Sequence, residues 1–145
     1  MPYNKHNLTK RSGFTLIEIM LVLFILMTIA GVGIVAVIQI QGNAMKRIAK
    51  INVEDISKNL DLYASMVGSY PSSEDGLKAL RECPASLSDP SKWVQVAKKD
   101  IPLDPWGNPY QYQCPGTRNP DSFDLWSFGP DKMTGTEDDI GNWTN

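Results

Sequence analysis

Apolar and polar positions divide this chain into two parts with different periods. From Phe14 to Ile40 the residues are almost continuously apolar, and Ile19 to Ile40 is a run of twenty-two residues without a charge. At about 1.5 Å per residue, the 27 residues from Phe14 to Ile40 make roughly 40 Å of helix, enough to cross a hydrocarbon core of about 30 Å. The apolar region of a secretory signal peptide is shorter, about 7 to 15 residues. The run therefore reads as a single membrane-spanning helix over residues 14–41.

Beyond Gly42 the apolar positions narrow to one stripe of Ala44, Ile48, Ile51, Ile56, Leu60, Tyr63 and Val67, separated by Lys, Asn, Glu and Asp. Steps of three to five residues predict an amphipathic helix. No strong breaker precedes Gly68-Ser69-Tyr70-Pro71, so one continuous helix is expected from Phe14 to about Gly68. Gly31, Gly33 and Gly42 each cost roughly 1 kcal/mol relative to Ala and mark sites where that rod would bend or melt.

Tyr70 to Leu80, YPSSEDGLKAL, reads as a turn, a Ser cap with an acidic first turn, and a short second helix whose Leu77 and Leu80 face the first. The end of IPLDPWGNPYQYQ and the segment SFDLWSF alternate aromatic with polar residues between turn formers, which predicts two or three short antiparallel strands. The expected fold is α+β: a long N-terminal helix packed on a short helix and a small antiparallel sheet, with residues 42–145 as the globular domain.

Charge refines this picture. The formal net charge is −2, but the leader of residues 1–13 carries Lys5, Lys10 and Arg11; without it eleven Lys and Arg face sixteen Asp and Glu, a net −5. An acidic body excludes nucleic acid as the expected partner. The positive-inside rule leaves orientation tied, because Lys46, Arg47 and Lys50 flank the other end of the apolar run. The only histidine, His6, lies in the leader, so the rest of the chain has no Ser-His or Cys-His pair and no enzyme is expected.

Three features hold candidate chemistry. Cys83 and Cys114 match no metal pattern; outside the cytoplasm they form a candidate disulfide, and otherwise they are two unrelated thiols. Gly129 to Trp143 gathers Asp131, Asp138 and Asp139 in a stretch too rich in Gly and Pro for a helix. Three converging carboxylates call for a divalent cation, and oxygen ligands suit calcium; without convergence the stretch is a solvated acidic turn. Its spacing is not that of an EF-hand. Glu18 lies inside the apolar run, where a charge costs roughly 2.5 to 3.5 kcal/mol on insertion scales. It either sits near the headgroups or finds a cation.

Gly13-Phe14-Thr15-Leu16-Ile17-Glu18 after a short basic leader resembles the processing site of the type IV pilin and pseudopilin family. The resemblance implies that a prepilin peptidase cuts between Gly13 and Phe14 on the cytoplasmic side and methylates the new amino terminus of Phe14. It also implies a cytoplasmic N-terminus, a periplasmic body and a pairing of Glu18 with the Phe14 amino group of a neighbouring subunit, which sets axial register in a fibre. Relatives commonly carry a proline about 22 residues into the mature helix; this chain has Val35 there.

YPSSEDGLKAL, DPWGNPYQY and SFGPDKMTGTEDDIGNW, in that order, resemble the major pseudopilins of type II secretion systems over almost the whole mature chain. That resemblance implies a calcium-binding C-terminal loop with Asp131, Asp138 and Asp139 as side-chain ligands, the Phe128 carbonyl as a backbone ligand and a further carbonyl near Met133. Glu137 is expected to face solvent. The implied role is a homopolymeric, inner-membrane-anchored subunit of a periplasmic pseudopilus that drives export of folded proteins. Its implied partners are minor pseudopilins and an inner-membrane assembly platform with its ATPase. Two alternatives differ from it: a type IV or competence pilus subunit, which usually lacks the acidic closing loop and DPWGNPY, and a monomeric membrane-tethered calcium module, which has no use for Glu18.

Overall fold

The computed structural model describes residues 13–143, without the side chains of residues 32–37. Leader residues 1–12, with Lys5, His6, Lys10 and Arg11, lie outside the described residues, as does the Val35 side chain. The chain divides into two units, Met1–Ile40 and Gln41–Asn145.

Helix α1 runs over Leu16–Val67 and passes through Gly31, Gly33 and Gly42. Thr15 caps its start: the hydroxyl accepts from the Glu18 amide at 3.3 Å, while the Glu18 carboxylate accepts from the Thr15 amide at 3.0 Å. This reciprocal pair is a capping box, satisfying two amides that the first turn leaves without helical partners.

In the first unit the apolar side chains from Leu16 to Ile29 are exposed on every side of the helix. The Thr28 hydroxyl donates to the Ile25 carbonyl at 2.7 Å, so this polar group is satisfied within its own helix. Among the described residues no helix is long and apolar enough to cross a membrane. The expected span of residues 14–41 includes the side chains of residues 32–37, which lie outside the description.

In the second unit α1 buries Ala49, Val53, Ile56, Leu60 and Tyr63, at alternating steps of four and three. The expected stripe is right from Ile56 to Val67 and wrong before it, since Ala44, Ile48 and Ile51 are exposed. At that level α1 instead turns Ala49 and Val53 inward, one position round the helix from the expected residues, while the Lys50 ammonium beside them donates to the Gly141 carbonyl at 2.8 Å. The helix stops at Gly68, whose φ of +98° only glycine adopts without strain and whose amide donates to the Ala64 carbonyl at 2.8 Å.

The expected second helix is a single 3₁₀ helix over Gly76–Leu80. Ser72 does cap: its hydroxyl accepts from the Asp75 amide at 3.1 Å and donates to the Asp75 carboxylate at 2.6 Å. That cap closes an isolated turn, because Gly76 takes φ +58° and breaks α-helical continuity. Three strands follow, β1 (Gln111–Gln113), β2 (Asp124–Ser127) and β3 (Ile140–Gly141). They form an antiparallel sheet of order β1-β2-β3, with Tyr112 opposite Leu125 and Ser127 opposite Ile140.

The core lies between α1 and this sheet. Val53, Ile56, Leu60 and Tyr63 meet Leu80, Tyr110, Phe123 and Leu125, with Leu77 packed at the edge. Tyr70 meets Phe123 edge-on at 4.9 Å between ring centroids. The Tyr112 hydroxyl donates to the Pro71 carbonyl at 2.8 Å, and Tyr110 accepts from Asn52 at 3.0 Å.

Burial raises the phenol pKa of Tyr63, Tyr110 and Tyr112 above the ordinary value. A phenol whose folded pKa exceeds its unfolded value of about 10 contributes stability that is intact below that value and lost as pH rises past it. In a spectrophotometric titration of the native chain, phenolate absorbance should lag behind that of the denatured chain and then appear together with unfolding. Superimposable native and denatured titrations would overturn this.

Candidate functional site

Two places hold the predicted chemistry, one in each unit. At the first, Gly13 is exposed and Phe14 is 84% exposed, which leaves the backbone between them open to a peptidase. Glu18 follows one turn later. Besides its backbone cap, its carboxylate accepts from the Thr15 hydroxyl at 3.1 Å. The Thr-x-x-Glu spacing that builds this box is legible in the sequence, though there the carboxylate reads as a cost. Here it also has a structural role, holding the start of α1.

The second place is the loop joining β2 to β3. Pairing of Ser127 with Ile140 puts Phe128 and Asp139 side by side at the mouth of this hairpin. Gly129 tightens the mouth: with φ +71° it lies against the Asp138 backbone so closely that a Cβ would collide with the Asp138 carbonyl. Its amide donates to the Ser127 hydroxyl at 3.1 Å, and that hydroxyl donates to the buried Asp104 carboxylate at 2.6 Å. The DPWGNPY motif supplies that carboxylate, which also takes the Trp106 and Asn108 amides at 3.0 and 2.7 Å.

Within the loop the carboxylates are differently engaged. Asp139 is 8% exposed; one oxygen accepts from the Gly135 amide at 2.7 Å, and the other is buried without a partner. Asp138 faces α1, with its Oδ1 at 3.8 Å from the Lys46 ammonium. Asp131 is exposed and accepts from the Met133 amide at 2.9 Å, while Met133 and Glu137 are exposed. The expected convergence of the three acids is not complete: among the described residues no group of three or more His, Cys, Asp or Glu is poised to hold a metal.

The donor chemistry of the loop, as distinct from its convergence, is that of a hard-cation site. Thr136 Oγ1 is a second buried side-chain oxygen without a partner, three residues before the orphaned Asp139 Oδ1. Buried oxygens left unpaired cost roughly 1–3 kcal/mol each, more when charged. Two in one turn, next to the Asp138 carboxylate, are oxygen donors of the kind that calcium takes. Sequence reasoning passed over Thr136, since a hydroxyl in an acidic stretch has no distinguishing pattern.

Of the two readings open for Cys83 and Cys114, a disulfide or two unrelated thiols, the structure has the second. Cys83 and Cys114 are free thiols, the first exposed and the second partly buried. Each has its own anchor: the Cys83 thiol turns to the Pro84 carbonyl, and the Cys114 thiol turns to the Ser122 carbonyl at 3.7 Å. Ser73 fixes Cys114 further, accepting from its amide at 2.9 Å and donating to its carbonyl at 3.0 Å.

Residues 36–143 match the family model described as Type II secretion system (T2SS), protein G, and residues 8–38 match the prokaryotic N-terminal methylation motif. The type II secretion system core protein G of Pseudomonas aeruginosa is 43% identical over 140 residues, covering 94% of this chain and 97% of that protein. Its counterpart in Vibrio cholerae is 35% identical, covering 92% of each chain. Among solved structures, the major pseudopilin from the type 2 secretion system of enterohaemorrhagic Escherichia coli superposes with a TM-score of 0.63 at 34% identity, covering 74% of this chain and 94% of that one. With its capped N-terminal helix, three-stranded sheet and acidic hairpin loop, the chain belongs to the type II secretion system protein G family of pseudopilins.

Proposed function

We propose that this chain is the homopolymerising subunit of a periplasmic pseudopilus and works as a structural piston rather than as an enzyme. The leader is removed between Gly13 and Phe14 by a prepilin peptidase, and Phe14 is N-methylated. Residues 14–41 anchor the chain in the bacterial inner membrane, with the body periplasmic, until assembly by an inner-membrane platform and its ATPase. Minor pseudopilins are the other expected partners. The observation that supports this reading best is a helix start apolar on every side with one carboxylate, Glu18, one turn from the exposed Gly13–Phe14 bond. Hydrocarbon does not reward that charge; a neighbouring subunit's terminal amine does.

The C-terminal loop acts as a calcium staple. Asp139 and Thr136 offer the two orphaned oxygens, Asp131 and Asp138 lie on either side, and the Phe128 carbonyl sits at the hairpin mouth. A bound cation would neutralise the acids and fix the end of the sheet to the rest of the unit. A carbonyl near Met133 completes the proposed donor set.

Two outcomes test these readings. Glu18→Gln keeps the capping box with Thr15 but removes the charge, whereas Glu18→Ala removes both. The Gln variant should insert into membranes normally and lose fibres on electron micrographs, since removing one partner leaves the other's charge buried and unpaired at a cost of about 3–5 kcal/mol. Wild-type fibre numbers from the Gln variant would refute the pairing. For calcium, a hundredfold excess over Kd adds about 2.7 kcal/mol, which corresponds to roughly 10 °C in Tm for a unit of this size. Chelation should lower the Tm of the full chain in detergent by that order, and Asp139→Ala should abolish the difference; equal melts with and without chelator would refute the staple.

A further inference from the structure

Helix α1 and the acidic loop enclose a cleft of about 400 Å³ lined by Lys46, Lys50, Glu137, Asp138, Asp139 and Trp143. Its two lysines are held differently. Lys50 donates to the Gly141 carbonyl at 2.8 Å and so ties α1 to β3. Lys46 reaches no carbonyl; its ammonium lies 3.8 Å from Asp138 Oδ1, with both side chains well exposed to solvent. The cleft therefore already contains a cation, placed on the one proposed ligand that a helix residue can reach.

We infer that Lys46 is an internal competitor of the loop's metal ion: its ammonium neutralises Asp138 while the loop is empty and must be displaced when a dication binds. The inference rests on the calcium reading above. Its physical basis is the charge arithmetic of the cleft, where two lysines face three acids for a formal −1. Removing Lys46 takes the cleft to −2 and frees Asp138. A dication then gains one ligand without breaking a pair, and it no longer approaches an ammonium. Lys46 thus lowers affinity for the metal while holding the empty loop to α1. The pull is a through-space charge effect, so it is screened by salt, whereas a packing effect is not.

The test is calorimetric titration of calcium chloride into chelator-treated full chain in detergent, comparing wild type, Lys46→Gln and Lys46→Arg. Lys46→Gln should bind calcium about three- to tenfold more tightly at low ionic strength, from the scale of exposed charge pairs doubled for a dication. Lys46→Arg keeps the charge and should match wild type. The gain of the Gln variant should shrink towards nothing in about 1 M salt, where the screening length falls to about 3 Å. Melting should cross over: Lys46→Gln melts lower than wild type in chelator and higher in calcium. A purely structural role for Lys46 predicts a lower Tm in both buffers. Equal calcium affinities for wild type and Lys46→Gln would overturn the competitor role alone. Absence of calcium heat from every chain would overturn the calcium reading, and this inference with it.

Discussion

The buried carboxylate of Asp104 is the interaction on which the second unit depends. It is 4% exposed and accepts from the Trp106 and Asn108 amides and the Ser127 hydroxyl. A carboxylate taken out of water without such donors costs several kcal/mol. Those three bonds therefore tie the DPWGN turn to β2. Ser127 passes the constraint on, because its oxygen also receives the Gly129 amide, and Gly129 lies against the Asp138 backbone. The position of the acidic hairpin is thus set from inside, by a carboxylate some distance back in the chain.

A second buried carboxylate closes the other side of the sheet. Asp124 accepts from the Arg118 and Asn119 amides and from the Asn119 side chain, all within 3.0 Å. Against these two satisfied acids, Asp139 is the exception, buried to a similar degree but with one oxygen unpaired. That unpaired oxygen is what the proposed cation would satisfy. Glu18 and Asp138 belong to a third kind. Each is held provisionally by its own chain, Glu18 by Thr15 and Asp138 by Lys46, in contacts exposed enough to be exchanged.

Much of this was legible in the sequence, and the failures have physical causes. The change from an all-round apolar run to one stripe gave the two parts of α1, and Gly68 marked its end. Asp131, Asp138 and Asp139 were legible as a cluster, but not how each is engaged, since an acid shows no difference in sequence between an amide, a lysine and an empty neighbourhood. The stripe failed at Ala44, Ile48 and Ile51 because Ala49 and Val53 offer a second apolar phase along the same turns, and α1 buries that one, with Lys50 reaching the Gly141 carbonyl beside it. Strand β3 was missed because two residues cannot show a period. Asn142 helps hold β3 in place, its side chain accepting from the Leu125 amide at 3.0 Å and donating to the Phe123 carbonyl at 2.9 Å. The sequence leaves open whether Cys83 and Cys114 pair, because pairing depends on where two side chains point, and Ser73 fixes Cys114 from a segment forty-one residues away.

The two parts of α1 also differ in what they can specify. From Ala49 to Tyr63 the buried stripe permits only one rotation of the helix against the sheet. From Leu16 to Ile29 the surface is apolar on every side, so it packs against lipid or against like helices equally well in many rotations and at many heights. Apolar contact alone cannot choose among them. A charge in low dielectric can, because displacing it from its partner costs several kcal/mol while displacing a leucine by one turn costs little. Glu18 is the only charged side chain described in that stretch, in the first turn of α1. A position that looks like a flaw in a membrane anchor is therefore, among the described residues of the first unit, the one charge on which the proposed assembly would draw for register.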